Sequence, residues 1–340
     1  MLADLHRTYG AARLRICVPH LPYDAAVNAP TTLAATWREG LFVFTDDTRH
    51  QELPGQAVRA LAADGRGGAL AIVGEHTLRR RAPDGSWSIV ATADAQLSCT
   101  LAVGDVLYIG TDDARLLRIR AGGAPEPLRG FDAAPGRDGW YAGTAVVDGR
   151  EVGPPLGVRS LAATADGRVL LANVHVGGIP RSTDGGASWE PTIAVDADVH
   201  EVRAHPDDPA VVIAAAAVGL CVSRDAGATW AVERDGLHAT YCSAVAFSSG
   251  AVLVAATTDH FARDGAVYGR LLDGTGPLVP LGAGEPLVLA GIADTGCIAS
   301  RASALAVADT GGNLFVSADA GRNWTRRADD LPAPSGILVV

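Results

Sequence analysis

Ser182-Thr183-Asp184-Gly185-Gly186-Ala187-Ser188-Trp189 is the stretch that decides the fold, because the chain repeats it. The second copy reads Ser223-Arg224-Asp225-Ala226-Gly227-Ala228-Thr229-Trp230, and the third Ser317-Ala318-Asp319-Ala320-Gly321-Arg322-Asn323-Trp324. The shared pattern is S-x-D-x-G-x-[STN]-W. The first two copies begin 41 residues apart and the third begins a further 94 on, or two more periods of similar length. An interval near 40 residues is that of one four-stranded propeller blade. A shortened cousin, Arg81-Ala82-Pro83-Asp84-Gly85-Ser86-Trp87, lies upstream. In each octet the Asp carboxylate can accept from nearby backbone N–H groups, and the glycine supplies a positive φ at little steric cost. The tryptophan then opens the next strand and buries its ring between neighbouring units. These aspartates are therefore read as structural, not as catalytic carboxylates.

The same three-strand prelude leads into each octet. Val158–Thr164, Val169–Val174 and Ile179–Ser182 precede the first, and Val199–Ala204, Ala210–Ala217 and Leu220–Ser223 the second. Comparable blocks occur at Val58–Arg80, Ser98–Arg120, Cys242–Leu272 and Gly296–Ser317. Leu33–Phe44 forms the middle of a further unit, whose innermost strand can come from Gly336-Ile337-Leu338-Val339-Val340. The expected fold is all-β: a seven-bladed β-propeller, one domain over 1–340, with the ring closed by the C-terminal strand so that no sheet edge is left bare. Two segments fall outside the period. Residues 1–30 are expected to cover a rim. Residues 131–157, with Arg137, Asp138, Trp140 and Tyr141, form an inserted loop expected on the pocket face.

The octets resemble the Asp-box of the BNR-repeat propellers, a superfamily that includes the sialidases. The resemblance implies a sialidase-like fold with its ligand pocket at the channel mouth, on the face away from the box turns. It does not extend to the sialidase active site, which needs an arginine triad, a Tyr–Glu pair and an acidic Asp. The family's Arg-Ile-Pro motif is met only in reverse, as Gly178-Ile179-Pro180-Arg181, and no third axial arginine is evident beside Arg59 and Arg159.

Composition narrows the function classes. The net charge is −10 with no basic stripe, which argues against nucleic acid as a partner. All basic residues are arginine, so Schiff-base chemistry on a lysine is excluded. Five widely spaced cysteines (Cys17, Cys99, Cys221, Cys242, Cys297) form neither a disulfide framework nor a zinc knuckle. The first residues carry Asp4, Arg7, Arg13 and Arg15 in place of a signal-peptide core, and the longest apolar run, Val211 to Val222, is too short to span a bilayer. A cytoplasmic protein without a membrane partner is expected.

Blade register indicates where chemistry would sit. The octet turn joins the third and fourth strands, so the second-to-third loops and the crossovers between blades lie on the opposite face. Aligning the innermost strands places Arg59, Cys99, Arg159, His200 and Ser243 at one repeat position near the channel mouth. His76, Asp112, His175 and His260 fall at second-to-third loops, His238 and Tyr241 on the crossover into blade six, and Asp294 on that into blade seven. His175, His200 and His238 thus arrive from neighbouring blades on one face, a set suited to a divalent transition metal such as Zn, Cu or Fe. His200, Tyr241 and His175 are the catalytic candidates, while Arg159, Arg59, Trp140 and Asp294 are the ligand-binding ones. His205 and Cys221 are read as structural.

The leading expectation is an enzyme acting on a small anionic molecule in this pocket, possible metal assistance included. The alternatives are a non-catalytic scaffold for a protein partner and a glycan-binding or glycoside hydrolase-like protein. Whether the chain is an enzyme at all stays open at this stage.

Overall fold

The computed structural model describes residues 30–46, 48–143, 145–147, 150–152, 156–282 and 286–340. The expected rim segment thus lies outside the described residues, save for Pro30. Seven four-stranded antiparallel sheets are arranged as blades. The innermost strands are Pro334–Val339 in blade one, Val58–Ala63 in two, Leu97–Val103 in three and Val158–Ala163 in four. Val199–Ala204, Tyr241–Ser248 and Ile298–Arg301 serve blades five, six and seven. Each packs against the next, and Pro334–Val339 touches both Ile298–Arg301 and Val58–Ala63, so the ring is closed. Blade one joins the two ends of the described chain: Thr32–Thr36 pairs antiparallel with Pro334–Val339, Leu33 opposite Leu338.

The second strand of each blade is buried on both sides, and its sequence shows why. Ala69–Val73, Leu170–Val174, Val212–Ala216 and Ala251–Thr257 are near-continuous runs of Ala, Val, Leu and Ile with every residue buried. Small and branched side chains alternate there, which lets sheets pack face to face. Between blades four and five, for example, Leu171 and Ile179 meet Val199, Val202, Val212 and Cys221.

The octets are closed hydrogen-bonded turns. Ser182 Oγ donates to Asp184 Oδ1 at 2.8 Å and accepts the Gly186 N–H at 2.9 Å, while Asp184 accepts the Ser188 N–H at 2.9 Å and its hydroxyl at 2.6 Å. The second and third copies repeat all four bonds, with Asn323 Nδ2 replacing the hydroxyl donor in the last. The shared geometry needs φ near +80 to +90° at the fifth residue of the octet, and Gly186, Gly227 and Gly321 supply 90°, 79° and 81°. Trp189 is buried against Phe131, ring centroids 5.1 Å apart.

A second repeat runs around the opposite rim. In blades two to six the innermost strand carries a bulge at its second or third residue, leaving Arg59, Ser98, Arg159, His200 and Ser243 between paired neighbours; Ser335 is skipped in the same way in blade one. A bulged residue re-aims its side chain, here toward the next blade's backbone. Ser335 donates to the Val58 carbonyl, Arg59 to Leu97, Ser98 to Val158, and Ser243 to Ala293; His200 Nδ1 lies 2.6 Å from the Cys242 carbonyl. The blade-three member is therefore Ser98 and not Cys99, one residue earlier than alignment of the strands gave. Cys99 points into the core, where burial pushes its thiol up to about 12.

The insert between blades three and four holds the one α-helix of the described residues, Arg129–Asp132, then a 3-10 turn at Arg137–Gly139 and a two-stranded hairpin, Ala145–Val147 with Arg150–Val152.

Candidate functional site

Where the innermost strands begin, on the face away from the octet turns, the channel widens into a cavity of about 350 Å³. Three arginines line it, and each is met by a carboxylate. Arg59 contacts Asp112 at 2.7 Å, Arg203 holds the fully buried Glu201 through two bonds of 2.7 and 2.6 Å, and Arg159 reaches Asp294 at 3.1 Å. Arg203 is the third axial arginine that the sequence did not reveal. Glu201 is anchored further by the Val245 N–H at 3.0 Å, so the Arg203 pair is part of the wall. The Arg159 pair is different. It links blade four to the approach to blade seven, whose Thr295 also donates to the His200 carbonyl at 3.0 Å. Burial works against the Asp294 charge, but the Arg159 guanidinium and the Thr295 N–H outweigh it and hold the carboxyl below its ordinary value.

Beside this cavity, on the side of blades four to six, lies a compact polar centre. His175 comes from the second-to-third loop of blade four, Asp198 from the crossover into blade five, and His200 from the bulge of that blade. His175 Nε2 lies 3.7 Å from one Asp198 oxygen and His200 Nε2 3.5 Å from the other. The two imidazoles are 4% and 2% exposed, whereas the Asp198 side chain is 33% exposed and opens the centre to solvent. Among the described residues, these three are the one group of His, Cys, Asp or Glu close enough to share an ion, with donor atoms within 4.8 Å of one another. Asp198 has φ +49°, a left-handed conformation that costs a non-glycine residue energy and is concentrated at functional sites.

Tyr241 continues the arc. Its ring lies tilted by 42° against His200, centroids 4.5 Å apart, and its hydroxyl is 3.5 Å from Nδ1 of His260, which lines the cavity. Burial, then the nearby Asp198 charge, pushes the phenol well above its ordinary value, so it stays protonated. Burial and then Arg159 depress His175 to about 4, so its imidazole is neutral near pH 7.

Two expected site residues lie elsewhere. His238 does not join His175 and His200: its Nδ1 is 2.6 Å from the Tyr268 hydroxyl, and its Nε2 faces Asp264 at 3.7 Å. The donor beside the two imidazoles is Asp198, which the reading of histidines alone passed over. Trp140 is not a ligand platform either. It is 8% exposed and packs on Phe131, with Arg137 over its ring at 4.9 Å, because the insert folds back and uses it as core. The insert still reaches the site by another route. Gly143 lies flat on His175, where a Cβ would stand 2.0 Å from Cε1 of the ring. His205 accepts from the Asp207 and Asp208 N–H groups in a turn, and Cys221 is fully buried.

The class defined by this architecture is the seven-bladed β-propeller, and solved structures agree. The chain is similar to the GH74 enzyme of Niastella koreensis (TM-score 0.57, 13% identity, 88% of this chain and 47% of that one). It is equally similar to the WD40 β-propeller domain of Doa1 (TM-score 0.58, 14% identity, 89% and 87%). The GH74 xyloglucanase of Xanthomonas campestris matches at TM-score 0.52 and 18% identity, over 87% and 46%. The chain spans about half the length of these GH74 enzymes. No protein-family model and no curated protein matches the sequence. At such identities the likeness is one of fold alone.

Proposed function

We propose that this propeller binds a small anionic molecule in its channel-mouth cavity and acts on it with the arc running from His175 to His260. We read the three octets as Asp-boxes like those of the BNR-type propellers, a reading that their repeated turn bonding supports, and we carry over no sialidase residues. The observation that carries the proposal is the looseness of the Arg159–Asp294 pair. Arg203 is held by two short bonds and Arg59 is shared between Asp112 and the Leu97 carbonyl, but Arg159 has, among the described residues, one 3.1 Å contact to a partly exposed carboxylate. A guanidinium fork offers five donors, so a ligand carboxylate or phosphate can take up the rest, or displace Asp294. Tyr241 and His260 would then lie at the cavity edge for proton transfer, with His200 and His175 behind them.

Titration calorimetry of the intact protein against small carboxylates, phosphate esters and inorganic phosphate tests this. Anions that bind should lose about ten-fold or more in affinity in Arg159→Ala, the loss of a charge-assisted bond, and should gain in Asp294→Asn, where the competing charge is gone. Equal binding by wild type and Arg159→Ala would overturn the proposal.

A second reading has one specific observation behind it. Trp37 lines the same cavity with 43% of its surface exposed and Arg59 5.6 Å from its ring, an open face on which a sugar can stack. Two of the similar structures are glycoside hydrolases, one described as a xyloglucanase. Neutral oligosaccharides that bind wild type and Arg159→Ala alike, but not Trp37→Ala, would favour it.

A further inference from the structure

We infer that His175, Asp198 and His200 form a binding site for a divalent transition-metal ion, open on the side of Asp198. Two imidazoles of the proposed arc, His175 and His200, are thereby given to a metal, and a test by metal binding alone does not depend on which anion the cavity takes.

The donor geometry is the first argument. Four donors about 2.1 Å from a zinc ion lie about 3.4 Å from one another. The carboxylate–imidazole separations here are 3.7 and 3.5 Å, one to each Asp198 oxygen, and one ligand atom from each of the three residues lies within 4.8 Å of the others, so shifts on the order of 1 Å would bring all three onto one ion. Two imidazoles and one carboxylate suit Zn²⁺ or Fe²⁺, and three protein ligands leave coordination positions for water or substrate. The partial exposure of Asp198 puts those positions on the accessible side.

The hydrogen bonding of His200 is the second. Its Nδ1 lies 2.6 Å from the Cys242 carbonyl, which can only accept, so Nδ1 carries the hydrogen. Nε2 then presents a lone pair toward a carboxylate oxygen 3.5 Å away, and it is buried with no hydrogen-bond partner among the described residues. Asp198 Oδ1 is buried and likewise unpartnered. Two electron-rich groups facing each other at this distance repel, and leaving them unsatisfied is costly. A cation held between them removes both penalties. A metal-ligating histidine whose other nitrogen donates to a backbone carbonyl is also the usual outer-shell arrangement.

Third, the surroundings limit how far the donors can move. Gly143 lies against the His175 ring, the Tyr241 ring lies tilted against that of His200, and Asp198 is in a left-handed conformation.

The competing account is that Nε2 of His200 takes a second proton and pairs with Asp198 without any metal. Chelator-stripped full-length protein, titrated with Co²⁺ and followed by its visible d–d absorption, separates the two, with Zn²⁺ competition read by calorimetry. One equivalent of Co²⁺, displaced by Zn²⁺, is expected. Asp198→Asn and His175→Gln should each weaken it about ten-fold or more, while His238→Ala leaves it unchanged; circular dichroism checks that the variants fold. No stoichiometric binding by the wild type overturns the inference, whatever the variants do. So does binding that survives both Asp198→Asn and His175→Gln, or that is lost in His238→Ala.

Discussion

The two faces of this propeller use the same kind of residue in opposite ways. On the octet face, Asp184, Asp225 and Asp319 each accept bonds from the turn backbone and from a hydroxyl or amide, so their capacity is filled by the fold. On the cavity face, Asp198 keeps a buried oxygen unpartnered, as do His175 at Nδ1 and His200 at Nε2. Filled polar groups add to the fold, while unfilled ones weaken it and are kept for other reasons. The contrast separates the turn aspartates from the candidate-site aspartate better than burial or charge does.

The largest effect should fall on the octet face. Trp189→Ala removes a buried indole from between the insert and blade four and should cost about 3–5 kcal/mol in denaturant unfolding. A loss below 1 kcal/mol would show that the octet does not hold the blades. Ser182→Ala is next, since it leaves the buried Gly186 N–H without its acceptor; about 1–3 kcal/mol is expected from the same measurement.

Acid should pull the faces apart. His175 ionises at about 4 when folded, below its ordinary 6.5, with Arg159, Asp198, His200 and Asp294 around it. The unfolded chain therefore binds a proton that the folded chain refuses, and the stability of metal-free protein falls as pH drops from about 6.5 to about 4. Asp184 ionises at about 2 when folded, held there first by the Ser188 hydroxyl and N–H, so its contribution persists above 3.8 and is lost only as pH falls toward about 2. Melting curves across pH should show the first decline flattened in His175→Gln and unchanged in Asp184→Asn.

The smallest effect is the most telling. Asp198→Gly relieves a left-handed backbone but removes a charge that faces Arg159, so the two effects offset and stability should change by less than about 1 kcal/mol. A clear destabilisation would make Asp198 another structural aspartate.

Blade number, order and ring closure were legible because the octet marks a turn with a fixed hydrogen-bond requirement, and such requirements are written locally. The site was legible only in part. His175, His200, Tyr241, Arg59, Arg159 and Asp294 can be placed by blade register, but their partners cannot. Asp198 sits in a crossover with no repeat equivalent, and its +49° backbone turn has no signature in Ala194-Val195-Asp196-Ala197-Asp198. The rim bulges hid Arg203 and misplaced Cys99 by one residue, because an unpaired residue shifts the strand alternation that a sequence reading counts on. Trp140 was misread for a different reason: an aromatic in a long insert can serve either a ligand or the insert's own core, and only packing tells which.

Closure of blade one by Pro334–Val339 also sets an order of events during synthesis. Thr32–Thr36 leaves the ribosome among the first of the described strands, yet its inner neighbour leaves last. Until then the ring is an open arc whose first blade bares an unpaired edge at Leu33 and Ala35. Closure must therefore wait until Pro334–Val339 has been made, and any chain cut short before Pro334 would keep that adhesive edge for pairing with another copy.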